Sequence, residues 1–385
     1  LASAGLKITK AALSKYEKGK STPKQSVLVL LGRVLGAKPG YFLSESVVRI
    51  EWRAFGKRTE LRKGQQDQIK AFAERAVESQ LRLETIIYPR QRVTFPRAAV
   101  AVTAKDVEAI AQRLRKDWKL DAAPIGSLVG IVEDHGGFVV EYPESGIPFD
   151  GMSGRFDGRP VIVVQAESSM CRYRYNVARQ LGHLLITSPQ ATARDASKQV
   201  DRFAAALLVP ENAASSELGE KRRSLSFDEL GVLKEKYGLS MLGWVRRARD
   251  LEIISEGLCK SLCIDFGAKG WRNQEPYSYI GRERPKRLTQ MVHRAIAEGI
   301  IAEEDAGRIC EQYGAEPMAG LKTTTSTDAS PINLLRLSRA QRAQILMDAA
   351  ALAEKEYRKN ANLTTFDAFG EDDLYVENET DTEAR

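Results

Sequence analysis

The sequence predicts an α+β chain that is mostly helical, and three observations carry that prediction. Apolar residues recur at helical spacing through most of the 385 residues. Two short runs, FVVEYP and RPVIVVQ, have the β-branched and aromatic density of strands in a small sheet. Glycine and proline punctuate the periodic stretches where short helices need ends. With 43% hydrophobic residues the chain can furnish two or three domain cores. No window reads as a transmembrane helix or a signal peptide, so a cytoplasmic protein without membrane contact is expected. The chain opens on Leu1 rather than Met, so native sequence is expected upstream.

The first segment, residues 1–48, has the parts of a helix-turn-helix unit. Thr9 caps a short helix running through Tyr16, Gly19 stops it, Pro23 opens the next element, and VLVLLGRVL supplies a helix with one apolar side. Lys10, Lys15, Lys18 and Lys20 give such a unit cations for phosphates, while Ser14 joins Lys10 and Lys15 in approaching the duplex. Residues 49–95 read as a linker helix, on the charged amphipathic run KGQQDQIKAFAERAVESQLRLETII. In 96–212, AKDVEAIAQRLRKDW and IGSLVGIVEDHG are expected helices. The two strands follow, separated by the glycine-rich turns of GIPFDGMSGRFDGR, then a helix carrying YNVARQLGHLL and another in DRFAAALLVP. Residues 213–320 read as a helical extension. Residues 321–385 comprise a polar connection, a helix in RLSRAQRAQILMDAAALAEKEYRKN, and an acidic tail.

The formal charge of +7 favours polyanion contact, and the acidic tail makes the body more basic than the total. Nucleic acid is therefore expected on the body. The cysteines Cys171, Cys259, Cys263 and Cys310 lack paired C-x-x-C spacing and read as packing residues in a reducing compartment.

The stretch Arg179-Gln180-Leu181-Gly182-His183 stands one step from the zinc-protease pattern H-E-x-x-H. In sequence and order, LSKYEKGKSTP, LVLLGRVLGAKPGYFL, FDGMSGRFDGRPVIVV, YNVARQLGHLL, DRFAAALLVP and LKEKYGLSMLGWVRRARDLEIIS resemble the ImmA/IrrE family. Its members join a zinc metallopeptidase-like domain to an N-terminal Xre-type helix-turn-helix. The resemblance implies a zincin-like domain with a small sheet over 96–212, and a DNA-facing surface from Thr9 through Lys18. It also implies that the unit's first helix lies upstream of Leu1. By the same resemblance, the places of the two zinc histidines, the general-base glutamate and a third, carboxylate ligand fall on Arg179, His183, Gln180 and Ser197. Arginine has no lone pair to give a cation and repels it. Glutamine cannot take a proton from water, and serine is a poor substitute for a carboxylate. A change of Glu to Gln alone would preserve shape, yet it leaves Arg179 and Ser197 unexplained; divergence of the whole set accounts for all three. No metal and no cofactor are expected; Arg179 and Gln180 are expected to hydrogen-bond or ion-pair within the old cleft, and His183 to be a satisfied core or wall histidine.

The reading that follows is a non-catalytic DNA-binding regulator, the antitoxin of a toxin–antitoxin module, repressing its own operator as a homo-oligomer. Its partner would be a cognate toxin such as a nuclease, docked by the tail through Phe366, Phe369, Asp372, Asp373, Leu374 and Tyr375. Two alternatives stay open: a zinc metallopeptidase that cleaves a repressor, and a transcription factor that senses a ligand in the inactive cleft.

Overall fold

In the computed structural model the described residues are 9–17, 20–21, 23–24, 26–29, 31, 48–57, 61–88, 95–143, 149–166, 169–272, 274–281 and 283–302, with 306, 309, 343, 347 and 354. Lys18, Glu167, Cys310 and all six tail residues expected to hold a partner lie outside them. The chain divides into Leu1–Pro317 and Met318–Arg385. In the second unit Ala343, Met347 and Glu354 are helical and exposed, within the run expected to be a helix.

The first unit begins with α1 (Lys10–Glu17). The Thr9 hydroxyl accepts the Ala12 N–H at 3.1 Å, which is the expected N-cap. At the other end the Lys20 N–H donates to the Lys15 carbonyl, the six-to-one bond of a Schellman end. Residues 26–29 and 31 are helical, and Leu28 and Leu31 are buried.

The central sheet is built from β1 (Glu51–Lys57), β3 (Phe138–Tyr142), β4 (Phe149–Phe156) and β5 (Arg159–Gln165), in the order β1-β4-β5-β3. β4 is antiparallel to both neighbours, and β3 runs parallel to β5. Alternation along the strands sends their side chains to two cores. Phe138, Val140, Val161 and Val163 face α2 (Lys63–Ile87) with its Ile69, Ala73 and Val77. Val139, Ile162 and Val164 join the larger core, which holds α5 (Met170–Leu185). The sheet is thus covered on both faces.

Two departures from the sequence reading are instructive. Part of the stretch read as linker helix, residues 51–57, is strand β1, and the helix itself starts only at Lys63. The glycine-rich run expected to be turns is strand β4. Its glycines serve close approach rather than turning. A Cβ on Gly154 would come within 2.6 Å of Ile50 Cγ2 and 2.8 Å of the Glu51 carbonyl, and one on Gly151 within 3.1 Å of Gln180 Nε2. Glycine is depleted in strands, so the composition pointed the wrong way.

Around this sheet lie a two-stranded parallel ladder, β2 (Ala99–Val100) with β6 (Ile186–Thr187), and the helices α3 (Ala104–Asp117), α4 (Leu128–Asp134) and α6 (Ala193–Leu208). Thr103 and Asp106 close α3 with a reciprocal capping box. Helices α7 (Glu211–Leu218), α8 (Phe227–Tyr237), α9 (Met241–Asp250) and α10 (Glu256–Ala268) put Leu230, Trp244, Val245 and Phe266 into the same large core. Finally α11 (Arg287–Ala297) packs Leu288, Met291 and Val292 against Leu83 and Ile87 of α2.

Buried charges tie these pieces together. Arg115, 2% exposed, donates to the carbonyls of Leu120, Asp121, Ala123 and Leu207. Arg247 grips Glu108 with two nitrogens, at 2.6 and 2.8 Å. Glu283 accepts the N–H groups of Leu128 and Val129 at the start of α4, each at 3.0 Å, and pairs with Arg174.

Candidate functional site: an arginine across the metal-site helix

Helix α5 carries the R-Q-L-G-H stretch against the sheet, and α6 crosses it closely. Gly182 permits that crossing, since a Cβ there would lie 3.0 Å from Phe203 Cδ1 and 3.1 Å from Val200 Cγ1. The crossing brings the α6 residues Ser197 and Asp201 to Arg179. Its Nη2 donates to Ser197 Oγ at 3.1 Å and its Nε to Asp201 Oδ1 at 2.7 Å. Arg179 and Ser197 are far apart in sequence and were paired beforehand only by resemblance; here they touch. Asp201 was not singled out in the sequence, although it stands one helical turn after Ser197 and therefore on the same face of α6.

Gln180 points elsewhere. It is 1% exposed, and its Oε1 accepts the Ser153 hydroxyl of β4 at 2.9 Å. It is held against the sheet as a structural amide. His183 has no partner at its buried Nε2. Burial, aided by the Arg179 cation, pushes its pKa from 6.5 down to about 4, so the ring is neutral near pH 7.

By the family resemblance, zinc held by this helix would take its ligands at the places of Arg179, His183 and Ser197. The arginine holds a fixed positive charge across that space and is bonded to both α6 residues, leaving His183 as the sole conventional ligand of that set. The residues do not fit the metal. Among the described residues, other histidines and acids do not rebuild it. His135 stacks on Trp118 at 4.9 Å and shares a hydrogen bond with the Ile131 carbonyl. Asp195 caps α6 with Thr192 and pairs with Lys198. Among the described residues no group of three or more His, Cys, Asp or Glu side chains could hold a metal ion. Cys171, Cys259 and Cys263 are free thiols; burial raises Cys171 to about 11 and also raises Cys259, which shares its helix face with Cys263.

At the N-terminal unit, Thr9, Lys15 and Lys20 are exposed, and Ala12, Ser14 and Tyr16 are half-buried. Lys10 is placed in α1, and its side chain lies outside the described residues.

An N-terminal unit of helix-turn-helix type followed by a peptidase-like sheet-and-helix domain is the class this architecture defines, and two family models match its parts. Residues 2–42 match the helix-turn-helix family model, and residues 134–248 match the IrrE N-terminal-like domain. The chain joins a helix-turn-helix to an IrrE/ImmA-like peptidase domain. The second match runs from the end of α4 into α9 and so takes in α7 and α8. No curated protein matches the chain. No helix among the described residues is long and apolar enough to cross a membrane.

Proposed function

We propose that this protein is a non-catalytic, DNA-binding transcriptional regulator of antitoxin type, whose peptidase-like domain has become a scaffold. The observation that carries the reading is the Arg179 guanidinium bonded to Ser197 and Asp201. With Gln180 unable to act as base, the site has neither the ligands nor the proton acceptor of zinc hydrolysis. The helix-turn-helix match supports DNA as the remaining target. A single short recognition helix makes few base contacts, and a symmetric homo-oligomer on paired half-sites doubles them. Thr9, Lys10, Ser14, Lys15, Lys18 and Lys20 form the proposed DNA face, in a cytoplasmic protein that represses its own operator.

In this reading the N-terminal unit meets DNA, the peptidase-like domain with the helices after it is the scaffold, and the tail meets the partner. The tail residues Phe366, Phe369, Asp372, Asp373, Leu374 and Tyr375 supply aromatic anchors among carboxylates, suited to a basic toxin surface such as a nuclease groove. The test is co-purification with the product of the neighbouring gene, repeated after deletion of residues 366–385. Loss of the partner on deletion is expected, and unchanged association overturns the tail's role. Elemental analysis of the purified protein separates this reading from a peptidase, which requires stoichiometric zinc.

A further inference from the structure

A cleft of about 1210 Å³ opens beside the closed metal site, walled by α5, α6, α9 and the segment 274–279. Gln180 and His183 do not line it; Arg172, Asn176 and Arg179 do, at the three- and four-residue spacing that places them on one face of α5. Eight lysines and arginines line the cleft against four aspartates and glutamates. The four carboxylates are engaged: Asp150 with Arg172, Asp201 with Arg179, Asp250 with Arg249 and Glu275 with Lys234. Arg202 is held by Glu108 and Lys198 by Asp195 from outside the lining. Arg246 and Arg272 remain, both exposed, with no carboxylate partner among the described residues.

Two further features show what the wall receives. Asn176 is 6% exposed, and its Nδ2 has no hydrogen-bond partner. A donor buried in that state is destabilising unless an acceptor arrives. At the start of α9, the N–H groups of Met241 and Leu242 are capped by the Glu275 carboxylate at 2.8 and 3.0 Å. The start of α5 lines the same cleft, and its N-cap Ser169 makes no side-chain capping bond. One helix start in this wall thus carries an internal anion, and the other has no side-chain cap from its own N-cap residue.

We propose that the cleft binds a small oligophosphate, free or carried by a nucleotide. Arg246 and Arg272 supply the uncommitted charge, the start of α5 and the Asn176 amide supply donors, and Tyr175, Tyr277 and Tyr279 are the aromatic residues in the lining that a base would meet. Cations already matched to carboxylates give shape, and the two unmatched arginines give the affinity. The site stands independently of the DNA-binding reading.

The experiment is calorimetric titration of the full chain with tripolyphosphate, ATP and adenosine. Saturable binding of tripolyphosphate or ATP is expected, weakened at least about tenfold in the double variant Arg246→Ala, Arg272→Ala. Both side chains are exposed, so the fold should persist, as a melting curve will show. Asn176→Leu is expected to weaken binding as well. Tighter ATP than tripolyphosphate assigns the ligand to a nucleotide, and equal binding assigns it to the phosphate chain. The proposal is overturned if neither anion saturates or if the double arginine variant binds like wild type. It also falls if Arg113→Ala with Lys116→Ala, on the far exposed face of α3, costs as much.

Discussion

Arg179 spans the gap between α5 and α6, and its two bonds explain why it can stay there. Asp201 neutralises it and Ser197 satisfies another of its donors, so the guanidinium links the two helices. Wild-type protein is therefore expected to carry no zinc. The double variant Arg179→His, Ser197→Glu, which sets two new ligands beside His183, is expected to take it up stoichiometrically by elemental analysis, whereas Arg179→His alone is not. The titration of His183 gives a second check. Its folded pKa, about 4, lies below the ordinary 6.5, so between these values the unfolded chain binds the extra proton. Its contribution to stability is complete above pH 6.5 and is lost as pH falls toward 4. Glu133 works in the opposite sense. Burial raises it from 4.5 to about 7, so its contribution is complete below pH 4.5 and is lost as pH rises through 7. Melting temperatures followed over pH 4 to 7 should therefore fall less steeply toward acid in His183→Gln than in wild type. Glu133→Gln should show the reverse change of slope.

At the scale of elements, carboxylates seated on helix starts lock the segment that follows α10. Glu275 caps α9, Glu283 caps α4, and Glu133 accepts the N–H groups of Lys286 and Arg287 at the start of α11. Glu283 and its partner Arg174 are both fully buried. Removing the charge leaves Arg174 uncompensated, so Glu283→Gln is expected to cost about 3–5 kcal/mol in denaturant unfolding. The β1–β4 ladder has its own weak point. Gly154 lies against the backbone of Glu51, and Gly154→Ala is expected to destabilise by about 1–3 kcal/mol, read as a lower melting temperature. A loss of under half a kilocalorie would show that β1 yields without cost.

For the whole molecule, net charge is a poor guide to which cations are free to meet an anion. Part of the basic excess is internal: Arg115, Arg174 and Arg247 are buried and spent on carbonyls and carboxylates. The exposed cations that remain relevant are Lys15 and Lys20 in the N-terminal unit and Arg246 and Arg272 in the cleft. If the first pair contacts phosphates, Lys15→Ala and Lys20→Ala should each weaken binding to upstream DNA. Each should also reduce the slope of log affinity against log salt by about one. An unchanged slope would remove both residues from the DNA face.

The sequence by itself determined most of the helical framework. The Thr9 cap, the buried strands β3 and β5, and the helix bearing R-Q-L-G-H are all local matters of spacing and hydrogen-bonding capacity. What Arg179, Gln180 and Ser197 can offer a cation was equally legible, because donor chemistry is a property of each residue alone. Tertiary structure decided the rest. Strands β1 and β4 exist because partners supply their hydrogen bonds across long sequence gaps, and a glycine in a strand shows its purpose only when the neighbouring backbone is in place. Which cations are free, and that Asp201 rather than Asp195 answers Arg179, depended on how α6 crosses α5 at Gly182. Charge pairing acts through space, and spacing along a chain fixes it only within a single element.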